Sequence, residues 1–256
     1  MSVTTILRTE KLTKQFGDFT ALSDVSVSFE QGQITAIIGP NGAGKSTFFN
    51  LISGAFPPSS GRIWFDDADI TGLPQYRFAH LGIAKSFQIT NVFPQLTAHE
   101  NVRVAAQALR GQLDLWNNRD RYSDLIAQAD ELLALVGLYG QRNRRADVLA
   151  HGEQRALEVA MALASRPKLL LLDEPTAGMS PEETKSMMDL IVHLAAERTI
   201  ILVEHKMKLV MGICSRLIVL HYGQLLAEGT PDEIRNHSEV KRVYLGRGAD
   251  AVARPG

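Results

Sequence analysis

The chain has 256 residues, is 45% hydrophobic and 21% charged, and carries a formal net charge of −1. That length and apolar share suit one large folded domain and exclude an intrinsically disordered chain, while 27 Lys and Arg against 28 Asp and Glu leave no overall attraction to a nucleic-acid backbone. The single cysteine, Cys214, excludes an internal disulfide and a thiolate metal site, and it reads as a small buried hydrophobe.

In chain order, residues 6–30 alternate apolar with polar side chains through Leu12, Phe16, Phe19, Val25, Val27 and Phe29, the pattern of antiparallel strands with one face in water. Residues 34–38 are a buried strand running into a glycine-rich turn, and residues 45–53 continue as a helix. Residues 98–145 hold no strand pattern. Within them, 124–136 form an amphipathic helix whose apolar face is Leu125, Ile126, Ala129, Leu132, Leu133 and Val136. Buried strands follow at 168–173, 199–203 and 217–220, with helices at 181–196 and 206–213. Strands alternating with helices predict an α/β fold with a mostly parallel sheet and right-handed crossovers. Thr97, Ser180 and Thr230 each precede a glutamate by three residues (Glu100, Glu183, Glu233), and Pro181 and Pro231 sit at the first helical position, so each threonine or serine marks a helix start. The strongest apolar run, Leu169 to Leu172, is closed by Lys168 and Asp173, far short of a membrane span. Arg8, Glu10 and Lys11 precede any long apolar block, so no secretory signal is expected.

The decisive segment is Gly39, Pro40, Asn41, Gly42, Ala43, Gly44, Lys45, Ser46 and Thr47, placed after a predicted strand and opening a predicted helix. Glycines let backbone N–H groups converge on phosphate oxygens. The helix N-terminus adds a positive field, Lys45 reaches the outer phosphates, and the Ser46 hydroxyl is a Mg²⁺ ligand. From average residue usage the pattern arises by chance on the order of 0.01 times in a chain of this length. Further on, Leu169 to Leu172 bury a strand whose carboxylates, Asp173 and Glu174, emerge at its C-terminal end, where α/β sheets bind ligands. Asp173 is the expected Mg²⁺ partner, and Glu174 is placed to polarise an attacking water.

These segments, with Gln88, the run Leu149-Ala-His-Gly-Glu-Gln154, Pro175 and His205, resemble the nucleotide-binding subunits of ABC transporters in order and spacing over nearly the whole chain. Residues 204–212, the ending at 228–234 and the tail at 240–246 resemble, more narrowly, the ATP-binding subunits of branched-chain amino acid importers of the LivG type. The tail also resembles the ATPase of the lipopolysaccharide exporter.

The resemblance implies a P-loop NTPase fold, the ABC-ATPase core, with an N-terminal antiparallel β subdomain and an inserted α-helical subdomain. Residues 1–256 are then a single nucleotide-binding domain: 1–97 and 146–256 form a RecA-like core, and about 98–145 a helical insert leading into the signature helix. ATP and Mg²⁺ are the implied ligands. Phe16, or Phe19 in its place, stacks on adenine, or else packs on the core; Gln88 touches Mg²⁺ and the attacking water; His205 contacts the γ-phosphate. The helix at Gly152 presents its N-terminus to ATP held by a second ATPase subunit, so a head-to-tail dimer is implied, with a different ATPase chain or a second copy. Permease subunits in the membrane are the other partners, a binding protein is an indirect one, and the location is cytoplasmic, peripheral on the inner face of the cell membrane.

Three departures stand out: Ala150 replaces a serine hydroxyl, Glu153 a glutamine, and Ser180 an aspartate at the dimer contact. The other histidines and the cluster of Arg142, Arg144 and Arg145 read as surface or structural residues. Urea or amide import, a soluble ABC ATPase uncoupled from transport and a P-loop small-molecule kinase are the alternatives; the kinase does not explain the signature helix.

Overall fold

The computed structural model describes residues 4–86, 92–108 and 119–245. Its elements in chain order are β1 (Thr5–Phe16), β2 (Phe19–Glu30), β3 (Ile34–Ile38), α1 (Lys45–Ile52), β4 (Ser60–Phe65), β5 (Ala68–Asp69), α2 (Tyr76–Leu81), β6 (Ile83–Lys85), α3 (Ala98–Ala108), α4 (Arg119–Leu135), α5 (His151–Leu163), β7 (Leu169–Asp173), α6 (Pro181–Ala195), β8 (Thr199–Val203), α7 (Met207–Ile213), β9 (Arg216–His221), β10 (Gln224–Gly229), α8 (Pro231–Asn236) and α9 (Ser238–Leu245). They fall into two compact units, Met1–Gln75 with Ala195–Gly256, and Tyr76–Leu194.

In the first unit β2, β1, β4 and β5 form an antiparallel sheet in that order. Leu7 faces Phe29 and Leu12 faces Val25 across β1 and β2. Along β2 Val25, Val27 and Phe29 are buried while Ser26 is exposed, the alternation expected of a sheet with one wet face. Phe29 meets Phe48 of α1 with ring centroids 6.3 Å apart, and α1 buries Phe49, Leu51 and Ile52 beside it. A second group of strands places β3 between β8 and β9, parallel to both, with β10 returning antiparallel along β9. Every residue of β3 and β8 is buried. Covered on both faces, such strands carry unbroken apolar runs, each large side chain contributing about 1.5–3 kcal/mol.

In the second unit β6 and β7 pair in parallel, and α3, α4 and α5 share a small core of Ala106, Leu125 and Ala164, with Leu132 packed against it. The Gln128 side-chain amide donates to the Ala164 carbonyl at 3.0 Å, tying α4 to the end of α5. Ile126, expected on the apolar face of α4, is 45% exposed. The buried stripe runs through Leu125, Ala129 and Leu133 at four-residue spacing, and Ile126 lies one helical step off it. The helical segment expected at about 98–145 lies inside this unit, together with β6, α5 and β7.

All three marked helix starts carry capping boxes. Backbone N–H groups of Thr97, Ser180 and Thr230 donate to Glu100 (2.8 Å), Glu183 (2.9 Å) and Glu233 (2.7 Å), whose own N–H groups donate back to the hydroxyls. These bonds hold the three carboxyls below the usual carboxylate range. The basic cluster is half-buried at Arg142 and exposed at Arg144 and Arg145, and all three are engaged: Arg142 stacks on Tyr139 at 4.2 Å, Arg144 donates to the Val148 carbonyl at 3.0 Å, and Arg145 bonds Gln95 and Asp147. No helix among the described residues is long and apolar enough to cross a membrane.

Candidate nucleotide-binding site

The phosphate loop belongs to the first unit. β3 ends at Ile38, α1 begins at Lys45, and the residues between are held from inside and outside the loop. Ala43 N–H donates to the Pro40 carbonyl at 3.1 Å, and the Ala43 carbonyl accepts from Gly223 N–H, in the turn between β9 and β10, at 3.0 Å. Gly44, the residue before α1, is left-handed (φ 93°, ψ 5°), the conformation that costs glycine least.

Lys45 is 5% exposed. Its Nζ donates to the Gly39 carbonyl at 2.7 Å and the Pro40 carbonyl at 2.9 Å, laying the charge across the loop. Ser46 is exposed in the first turn of α1, and that turn has no acidic residue. The helix therefore offers its uncapped N–H groups and positive end to an anion. α9 returns to the same place: the Tyr244 hydroxyl hydrogen-bonds the Gly39 backbone, and burial pushes its pKa above the usual tyrosine value. No feature of the tail sequence announces that contact.

Phe16, at the end of β1, is 50% exposed and Phe19 is 66% exposed, which excludes the core-packing reading of either ring. Phe16 stands edge-to-face with Phe56 at a centroid distance of 5.6 Å, with Lys14 Nζ 5.2 Å from its ring. His205 follows β8 at an exposed position, and its backbone N–H donates to a carboxylate oxygen of buried Glu204 at 3.2 Å.

The carboxylate strand belongs to the second unit. Leu169 to Leu172 are each 0% exposed, and Asp173, at the C-terminal end of β7, is 5% exposed. Lys85, at the end of neighbouring β6, is held below the usual ammonium value by desolvation, which outweighs the opposing influence of the Asp173 carboxylate. Glu174 is left-handed (φ 48°), a conformation that costs a non-glycine residue roughly 1–2 kcal/mol. Its carbonyl accepts Ala177 N–H at 3.0 Å, so the strand ends in a tight turn at Glu174. Strain of this kind gathers at functional sites.

The helix expected to act as the signature helix is α5, which begins one residue after Ala150. Ala150 has no side-chain acceptor, so only half of a capping box forms, with Ala150 N–H donating to Glu153 at 2.9 Å. Gly152 N–H donates instead to Glu183 Oε1 at 3.2 Å. His151 Nε2 lies 3.1 Å from the Ala177 carbonyl. Gln88 and the tail from residue 246 lie outside the described residues. Among the described residues no group of three or more His, Cys, Asp and Glu side chains is gathered for a metal ion.

The family profile described as ABC transporter matches residues 22–177, a stretch holding both the phosphate loop and the carboxylate strand. The chain belongs to the ABC transporter ATP-binding family. A second profile, branched-chain amino acid ATP-binding cassette transporter, matches residues 224–250, which include β10, α8 and α9. The chain is 41% identical over 249 residues to the high-affinity branched-chain amino acid transport ATP-binding protein LivG of Salmonella typhimurium, covering 94% of this chain and 98% of LivG. Among solved structures it is similar to MJ1267, an ATP-binding cassette of an ABC transporter in its ADP conformation, at 30% identity and a TM-score of 0.84, covering 95% of this chain and 99% of that one. It is also similar to the ATP-binding cassette MJ0796, a dimer in a post-hydrolysis state with ADP and Pi, at 25% identity and a TM-score of 0.77, covering 88% and 99%. The α/β architecture with one parallel-rich and one antiparallel sheet is that of the ABC cassettes.

Proposed function

We propose that the chain is the ATP-binding and hydrolysing subunit of an importer for branched-chain or closely related amino acids. The observation that carries this reading is the phosphate loop, with Lys45 buried across it and α1 opening unneutralised behind it. The LivG likeness over 94% of the chain and the match at residues 224–250 support import of these solutes over lipopolysaccharide export or urea and amide import.

ATP is the substrate, its phosphates taken by residues 39–47. Mg²⁺, when bound, supplies positive charge against the outer phosphates. Ser46, Asp173 and Gln88 are the hard oxygen donors that would hold it, and one carboxylate, here Asp173, beside substrate phosphate is a usual Mg²⁺ arrangement. Glu174 polarises the attacking water, and His205 keeps water and γ-phosphate in register. Phe16 offers an exposed ring to adenine. The N-terminus of α5, at Gly152, receives the γ-phosphate of ATP held by a second ATPase subunit, so the working form is a head-to-tail dimer. The mate is a different ATPase chain in the preferred arrangement and a second copy otherwise. The pair docks on permease subunits at the inner face of the cell membrane, and a binding protein delivers solute from the far side.

Glu174→Gln is the test. It should retain ATP binding, lose hydrolysis and accumulate as a closed dimer by size-exclusion chromatography. Turnover near that of the unsubstituted chain would remove Glu174 from its role.

A further inference from the structure

Glu183 sits 31 residues from Gly152 in sequence, and its carboxylate splits between two jobs. Oε2 accepts Ser180 N–H at 2.9 Å and completes the cap of α6; Oε1 accepts Gly152 N–H at 3.2 Å, across from one helix to the next. A Cβ at residue 152 would stand 2.4 Å from Oε1, so the approach exists only because residue 152 is glycine. The same N–H group, at the positive end of a 13-residue helix, is the donor offered to the γ-phosphate in the function proposed above. Ala150 brings no hydroxyl to share the task. One N–H cannot serve two anions at full strength, and carboxylate and phosphate repel at that range.

We infer that Glu183 is a resident anion on the signature helix, which must leave Gly152 before a γ-phosphate takes its place and thereby sets the ATP concentration at which the dimer closes. The exchange is local. Only the Oε1 bond has to break, because Oε2 keeps the Ser180 cap. A cavity of about 620 Å³, lined in part by Gly152, Met179, Glu183 and Ser186, adjoins the contact and gives the carboxylate room to turn. His151 stays lodged on the Ala177 carbonyl, so the helix start keeps its place while the acceptor changes. Glu183 is a positioning residue that acts through Gly152, and the inference rests on the reading that α5 meets ATP of the partner subunit.

The test uses the full chain with Glu183→Gln and with Glu183→Asp. Glutamine keeps an acceptor but loses the charge; aspartate keeps the charge and a cap for α6 but is too short to reach Gly152. Both should lower the ATP concentration for half-maximal hydrolysis about three- to tenfold, the difference between a charge-assisted and a neutral or absent hydrogen bond, with kcat moved less. In a Glu174→Gln background the ATP concentration for half-maximal dimer closure should fall in parallel. Unchanged or raised half-maxima for hydrolysis in both variants overturn the inference, even if amide exchange at Gly152 quickens, because Glu183 would then be a helix cap and nothing more. If Glu174→Gln never forms a closed dimer while the half-maximum for hydrolysis still falls, the role of Glu183 stands and the trapped-dimer reading is what fails.

Discussion

Gly44 offers a quantitative test of the phosphate loop, with Gly42 as its internal control. Both are left-handed, at φ 93° and 79°, so alanine at either costs roughly 1–2 kcal/mol of backbone strain, partly offset by about 0.4–1 kcal/mol from a less flexible unfolded chain. Gly42 has nothing within 4 Å of an added Cβ, and its net loss should stay near about 0.5–1 kcal/mol. At Gly44 the added carbon meets the Ala21 carbonyl oxygen at 2.8 Å and Gly223 Cα at 3.2 Å. Both are backbone atoms in strand and hairpin, and neither can rotate away, so about 1–3 kcal/mol of overpacking is added. Gly44→Ala should therefore lose about 1.5–4 kcal/mol in total. Because the loop itself must shift, its affinity for a fluorescent ATP analogue should also fall at least about tenfold, the equivalent of 1.4 kcal/mol. Urea unfolding followed by circular dichroism gives the first number and a binding titration on folded protein the second. If Gly44→Ala loses no more stability than Gly42→Ala, the close approach of β2 and the hairpin to the loop is not what restricts residue 44.

Lys45→Ala removes a donor to two loop carbonyls as well as a phosphate ligand; calorimetry should find ATP affinity reduced about 10- to 100-fold while the chain still folds, and unchanged affinity would refute the role of Lys45. Glu233 has a folded pKa below its ordinary 4.5, so the stability it lends α8 is present above that value and is lost as pH falls through the lower folded value. Hydrogen exchange at residues 232–236 should quicken on acidification in the unsubstituted chain and be insensitive to pH in Glu233→Gln after correction for intrinsic rates; equal acid sensitivity in both would rule the carboxylate out. Burial pushes the Cys214 thiol up to about 12, so at pH 8 only about one thiol in ten thousand is ionised. A thiol reagent such as DTNB should label the native chain only through unfolding, and rapid labelling would contradict the burial.

Continuous apolar strands were the most legible part of the fold. Residues 34–38 and 199–203 read from sequence with the same limits as β3 and β8, because burial on both faces demands unbroken apolar runs. The helix starts at Thr97, Ser180 and Thr230 were equally plain, since a capping box is local chemistry four residues long. β4, β5, β6 and β10 were not read: β5 and β6 are two and three residues long, and neither β4 nor the edge strand β10 alternates or runs apolar throughout. In the candidate site, the loop and Asp173 were legible in the sequence because they are chemistry-bearing residue types at fixed spacing after buried strands. The left-handed turn at Glu174, the return of Tyr244 to Gly39 and the contact of Glu183 with Gly152 were not. Each depends on how segments far apart in the chain meet or on backbone geometry that no residue type announces.

In the function proposed above, Lys45 is a strut as well as a phosphate ligand. With its ammonium on the Gly39 and Pro40 carbonyls, it braces the loop from within, and in that reading an arriving phosphate would trade those partners for stronger ones. Binding is then a substitution at one nitrogen between two ordered states, so the loop spends little entropy in becoming receptive. The measured heat would be a difference of bonds rather than their sum, and product departure would return the lysine to a position it already knows.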